Sequence, residues 1–191
     1  RLGHGDDSIH LKPAPLGTLA GLVNIVAVQA GGCHSLLLSD LGEVYSFGCG
    51  LAGRLGIGNM DNMNRPALIA ALESHTVVSI AAGAAHNVVL TDAGDIFTWG
   101  NGGFGRLGHG SACNEILPRE VLLSSHTTVK AVAVAAGECH TCVFRSDGSL
   151  ITFGRVTHGR CAEGTATSVM RPFLTAAVQM QTEFDWHHFP D

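Results

Sequence analysis

The sequence predicts an all-β fold, a β-propeller assembled from small four-stranded antiparallel blades. Three observations predict it. A glycine-rich phrase recurs as Arg1-Leu2-Gly3-His4-Gly5, Arg54-Leu55-Gly56-Ile57-Gly58, Arg106-Leu107-Gly108-His109-Gly110 and Arg160-Cys161-Ala162-Glu163-Gly164, with the arginines 53, 52 and 54 residues apart. Each interval holds about four short β-type segments bounded by turn residues. Strong helical periodicity is absent. A fixed period of this size marks a repeat architecture, and small antiparallel sheets repeated radially make a propeller.

Each unit opens with a buried-strand pattern: Val26 to Gly31, Val78 to Gly83 and Val132 to Gly137. A histidine follows three residues after the glycine, at His34, His86 and His140. A second apolar strand comes next, over 35–38, 87–90 and 141–144. The turns Asp40-Leu41-Gly42, Asp92-Ala93-Gly94 and Ser146-Asp147-Gly148 have hairpin chemistry. The third strand is β-branched and aromatic, over 44–48, 96–100 and 150–154. A glycine-rich loop with the recurring arginine follows, then a proline at Pro13, Pro66, Pro118 or Pro172. The short apolar segment after the proline, as in Ala67-Leu68-Ile69 or Glu120 to Leu123, reads as an outer edge strand.

The chain of 191 residues is long enough for a substantial core, and 46% apolar with 14% charged residues argues against disorder. A formal net charge of -5 disfavours a broad nucleic-acid surface. No apolar run reaches the roughly 20 residues of a membrane span. The N-terminus lacks signal-peptide organisation and starts inside a repeat, as expected of a fragment. The six cysteines are not dense enough for a disulfide scaffold, so reduced thiols in an intracellular protein are the preferred reading. Cytoplasm, nucleus and cytoskeleton are not distinguished.

Several constellations invite a chemical reading, and each has a plainer one. Gly48 to Gly53 and Gly100 to Gly105 match the dinucleotide fingerprint but open no helix and no βαβ unit, so a structural loop is expected. His34, His86 and His140 lie on three blades, too far apart to converge on one zinc ion. Each is expected to bond turn or loop backbone within its own blade. Cys139-His140-Thr141-Cys142 has redox spacing at a strand entry, where small apolar filling explains it better. Arg54 and Arg106 read as loop pins that bond backbone carbonyls of the next blade, since a contact repeated in every unit suits scaffold better than partner. No Gly-x-Ser-x-Gly elbow, P-loop lysine or paired acid/base carboxylates appear, so neither a catalytic site nor a cofactor or metal is expected. Trp186, His187 and Phe189 lie in a non-repeated aromatic tail at 181–191 and are candidate partner contacts.

The order of these residues resembles the repeat of the regulator of chromosome condensation family. The second copy carries the likeness best, with Ala82-Gly83-Ala84-Ala85-His86, Thr91 to Gly94, Phe97-Thr98-Trp99-Gly100 and Gly105 to Gly110. The repeat signature comprises Gly31, His34, Gly48, Arg54 and Gly56, then Gly83, His86, Gly100, Arg106 and Gly108, then Gly137, His140, Gly154 and Arg160. The resemblance implies a seven-bladed propeller, which at this period needs about 364 residues. The chain holds about three and a half repeats, placed at 1–25 in part, 26–77, 78–131 and, degenerate, 132–180. The remaining blades are expected from the rest of a parent chain. In the fourth copy Val156 and Ala162 replace repeat glycines. The resemblance implies a non-enzymatic protein-interaction or scaffold module. Its alternatives are guanine nucleotide exchange on a Ran-like small GTPase and a chromatin-binding or ubiquitin-ligase-associated propeller. Implied partners are a small GTPase or a ubiquitin-system, cytoskeletal or ciliary protein.

Overall fold

Three four-stranded antiparallel sheets stand side by side in a computed structural model that describes residues 2–6, 8–19, 21, 23–123, 129–155, 157 and 168–175. The first blade is β1 (Ile25–Ala30), β2 (His34–Ser39), β3 (Val44–Gly48) and β4 (Met63–Leu68). The second is β5 (Val77–Ala82), β6 (His86–Thr91), β7 (Ile96–Gly100) and β8 (Glu115–Glu120). The third is β9 (Ala131–Ala136), β10 (His140–Arg145), β11 (Leu150–Arg155) and β12 (Ser168–Thr175). Each is a simple meander in which sequence neighbours pair, the order expected of blades joined by short turns. The innermost strand β5 packs beside both β1 and β9, so the blades are set around a common axis.

Alternation along each strand divides its side chains between two neighbours. On β6, Val89 joins Leu36, Leu38 and Val44 of the first blade in one core, with Ile80, Phe97 and Trp99. The intervening Val88 and Leu90 join Val143, Ile151 and Phe153 of the third blade in another. A central blade therefore has no solvent face, and strand β6 is buried along its whole length. Full burial of each such aliphatic side chain contributes about 1.5–3 kcal/mol.

Two expectations change. The innermost strands are not uniformly buried: Val26, Val78 and Val132 are exposed. Each lies at a register shift, between Ile25 and Ala27, Val77 and Ser79, or Ala131 and Ala133. A bulge leaves that one residue unpaired and turns it outward. The outer strand also begins before its proline and runs through it. On β8, Thr98 pairs with Arg119 and Gly100 with Glu115, so Pro118 falls in a bulge opposite Trp99. Pro66 and Pro172 sit in the same break of β4 and β12. An edge bulge is where a residue without an N–H does no harm to the ladder.

The aromatic tail at 181–191, including Trp186, His187 and Phe189, lies outside the described residues, as do Arg160, Val156 and Ala162.

Candidate functional site

The long connections Gly50–Asn62 and Gly102–Asn114 leave the sheets at the same edge as the β1–β2, β5–β6 and β9–β10 turns. Each loop closes on itself at its root. Asn62 Oδ1 accepts from the Gly50 amide at 3.0 Å, and Asn114 Oδ1 accepts from the Gly102 amide at 3.0 Å. A Cβ at Gly50 would run into the Asp61 carbonyl, and one at Gly102 into that of Cys113. Arg54 Nε donates to the Leu51 carbonyl and Arg106 Nε to the Gly103 carbonyl, both at 2.8 Å. The buried hydroxyls of Ser46 and Thr98 donate to the carbonyls of Leu55 and Leu107 at 2.6 and 2.7 Å.

The next blade then clasps the loop. The Arg54 carbonyl accepts from Asn87 Nδ2 at 2.7 Å and from Trp99 Nε1 at 3.2 Å. One period on, the Arg106 carbonyl accepts from the Thr141 hydroxyl at 2.8 Å. Arg106 also reaches forward, with Nη1 donating to the Glu138 carbonyl at 3.1 Å. The glycines of the phrase lie under the aromatic of the following blade, Gly56 under Trp99 and Gly108 under Phe153. Gly3 meets Phe47 in the same way.

The histidines complete this clasp and correct an expectation. The Nε2 atoms of His34 and His86 reach side chains of the next blade instead of backbone of their own. His34 Nε2 lies 2.6 Å from Asn87 Oδ1, and His86 Nε2 lies 2.9 Å from Thr141 Oγ1. Backbone groups near the ring are already taken: the Gly31 amide donates to the His34 carbonyl and the Cys49 amide to the Cys33 carbonyl. Because Asn87 and Thr141 spend their donors on Arg54 and Arg106, each accepts from a protonated Nε2. Both imidazoles therefore carry a proton on Nε2. Burial, with Arg106 and the flanking histidines nearby, pushes His86 down to about 3. Burial and Arg54 push His34 below its ordinary value, against the opposing bond from Asn87. Gly31, Gly83 and Gly137 make room for the rings, since a Cβ on any of them would overlap His34, His86 or His140. Gly48 and Gly100 end β3 and β7, and Gly154 stands one residue before the end of β11, against the carbonyls of Cys33, Ala85 and Cys139.

Among the described residues, no three His, Cys, Asp or Glu side chains cluster to hold a metal ion. The fingerprint-like loops hold only single 3-10 turns, Leu51–Gly53 and Gly103–Gly105, and offer no helix N-terminus to a pyrophosphate. Cys139 is buried, and burial pushes the Cys142 thiol upward, away from the thiolate form a redox motif needs.

Outside the clasp, the loop edge carries exposed apolar side chains at Leu51, Met60 and Phe104. Phe104 has φ +62, a left-handed conformation that an aromatic residue rarely adopts. Its ring lies 4.9 Å from the Arg155 guanidinium carbon and 5.7 Å from that of Arg106. The equivalent residue of the first blade is the buried Ala52, also at positive φ. Sequence reading missed Phe104, Asn87, Thr141 and the two loop-root asparagines. The last pair had a signal, an asparagine 12 residues after the loop glycine in both copies.

The profile of the regulator of chromosome condensation (RCC1) repeat matches residues 42–90 and 93–144, and a second RCC1 repeat profile matches 25–54 and 77–106. The chain belongs to the RCC1 repeat family. Its relatives in the family include the E3 ubiquitin-protein ligase HERC2 of Homo sapiens, 37% identical over 94% of this chain and 4% of that protein. The ultraviolet-B receptor UVR8 of Arabidopsis thaliana is 32% identical over 98% of this chain and 43% of that protein. The chain thus spans less than half the length of either relative. Among RCC1 structures, Prp20p from Saccharomyces cerevisiae superposes with a TM-score of 0.73 at 22% identity, over 90% of this chain and 41% of that one. That likeness establishes the fold, a partial propeller of the RCC1 type. No helix among the described residues is long and apolar enough to cross a membrane.

Proposed function

We propose that this RCC1 segment is a non-enzymatic protein-interaction module that docks a protein partner on its loop edge. The observation that carries the reading is Phe104. It is 44% exposed, held at positive φ, and flanked by Arg106 and Arg155. Its phase-mate Ala52 is small and buried, so propeller packing does not require an aromatic there. By contrast the repeated polar groups His34, His86, Asn87 and Thr141 are engaged in the clasp. Exposed aromatics backed by arginine are frequent anchors of protein interfaces.

The 37% identity to HERC2, over 4% of that protein, supports a partner in the ubiquitin system. The test is affinity capture with the full-length protein and its Phe104→Gly variant, followed by a binding titration with each purified partner. Retained affinity in the variant would remove the loop-edge reading. A nucleotide-release assay on a panel of small GTPases runs beside it, and accelerated release would replace scaffolding with exchange.

A further inference from the structure

Cys33 and Cys49 are joined through their backbones at the mouth of the β2–β3 hairpin. The register pairs His34 with Gly48, so one step outward Cys33 stands opposite Cys49. The Cys49 amide donates to the Cys33 carbonyl at 2.9 Å, which carries the ladder past the strand ends. Residues joined by such a bond in an antiparallel pair have Cα atoms about 5.5 Å apart. A disulfide spans Cα separations of about 4.4–6.8 Å. The backbone therefore already meets the requirement.

The pair is not a demand of the repeat. The same two positions hold Ala85 and Asn101 in the second blade, and Cys139 and Arg155 in the third. Both Cys33 and Cys49 are half-buried thiols, within reach of a small oxidant. Cys49 also opens the loop whose Arg54 carbonyl is clasped by Asn87 and Trp99, and Cys33 directly precedes His34.

We propose that Cys33 and Cys49 are a modification site, closing to a reversible cross-strand disulfide when the protein meets a peroxide. One thiolate attacks a peroxide oxygen and breaks the O–O bond. That oxygen stays as a sulfenic acid, and the other leaves as water after taking a proton. The second thiolate attacks the sulfenic sulfur, so the S–S bond forms, the S–O bond breaks and a second water leaves. Two electrons pass from the thiols to the peroxide. A dithiol reductant reverses the step by exchange. The bond would tie the root of the Gly50–Asn62 loop to the start of β2.

The experiment treats the full-length protein with hydrogen peroxide, blocks remaining thiols by alkylation and maps the peptides. Cleavage at Glu43 separates the two cysteines, so their peptides stay joined only through a disulfide. The expected result is a joined pair that separates on reduction. It should form at least about tenfold faster than any bond to the exposed Cys113, because the two thiols are already adjacent. In the Cys49→Ser variant, Cys33 should stop at the sulfenic acid and be trapped by a dimedone probe. In Cys33→Ser the converse holds. Separate alkylation of both residues after oxidation, or pairing with Cys113 at an equal rate, would overturn the proposal.

Discussion

Gly56 lies against the indole of Trp99, so close that a Cβ on the glycine would stand 2.6 Å from Nε1. Its φ of +71 adds a backbone preference to that steric limit. Gly56→Ala is therefore expected to destabilise the protein by about 2–4 kcal/mol, from overpacking and left-handed strain together. Urea unfolding gives the value, and a Trp99→Phe background should recover part of the loss. An unchanged midpoint would mean that the joint is looser than its geometry.

Asn87 serves two groups at once, accepting from His34 and donating to Arg54. Asn87→Ala strands the buried His34 Nε2–H and leaves the Arg54 carbonyl to Trp99 alone, and should cost about 1–3 kcal/mol. Asn87→Thr should cost less, since Thr141 does the same work one blade on. A double-mutant cycle with His34→Ala tests the link. Coupling below about 0.5 kcal/mol would show that the two residues act independently.

Acid should loosen the joints. The unfolded chain protonates its histidines near the ordinary value of 6.5, whereas native His86 takes a proton only at about 3. Between those values the unfolded state binds more protons, so stability falls as pH drops through the window. His86 alone contributes up to about 1.4 kcal/mol per pH unit, and the lowered His34 adds to the same slope. Unfolding free energies measured from pH 7 to pH 4 should fall steeply, and His86→Gln should flatten the curve even though it lowers the starting stability. A parallel curve for the variant would assign the acid sensitivity elsewhere.

Phe104→Gly separates folding from docking. The change relieves positive φ, a gain of about 1–2 kcal/mol, and removes cation–π contacts of about 0.5–1 kcal/mol each. Thermal stability should stay within a few degrees of the parent, while partner binding weakens at least about tenfold. A large drop in melting temperature would make Phe104 a packing residue instead.

The strand plan was legible because turns and apolar runs repeat within each unit. His86, Arg106 and Gly108 could be recognised as scaffold from recurrence alone. Their bonding partners could not. His34 and Asn87 are 53 residues apart, and His86 and Thr141 are 55 apart, so the pairs exist only once blade is laid against blade. Asparagine and threonine at positions 87 and 141 also hide the shared role, because different side chains fill one slot. The outer strand was misplaced because Pro66 and Pro118 read as breaks, whereas a bulge accommodates them inside the strand. Phe104 was passed over because its backbone angle has no sequence signature beyond the neighbouring glycines.

The clasp at Arg54 and Arg106 gives the ring a direction of dependence. A loop is finished only when the blade after it has folded, so its seal waits on the successor, while the apolar cores are shared in both directions. During synthesis the most recently folded blade would keep its loop unsealed until the next blade left the ribosome. A lesion confined to the Asn87 side chain should unfasten the loop of the first blade while the apolar core shared with the third blade stays in place.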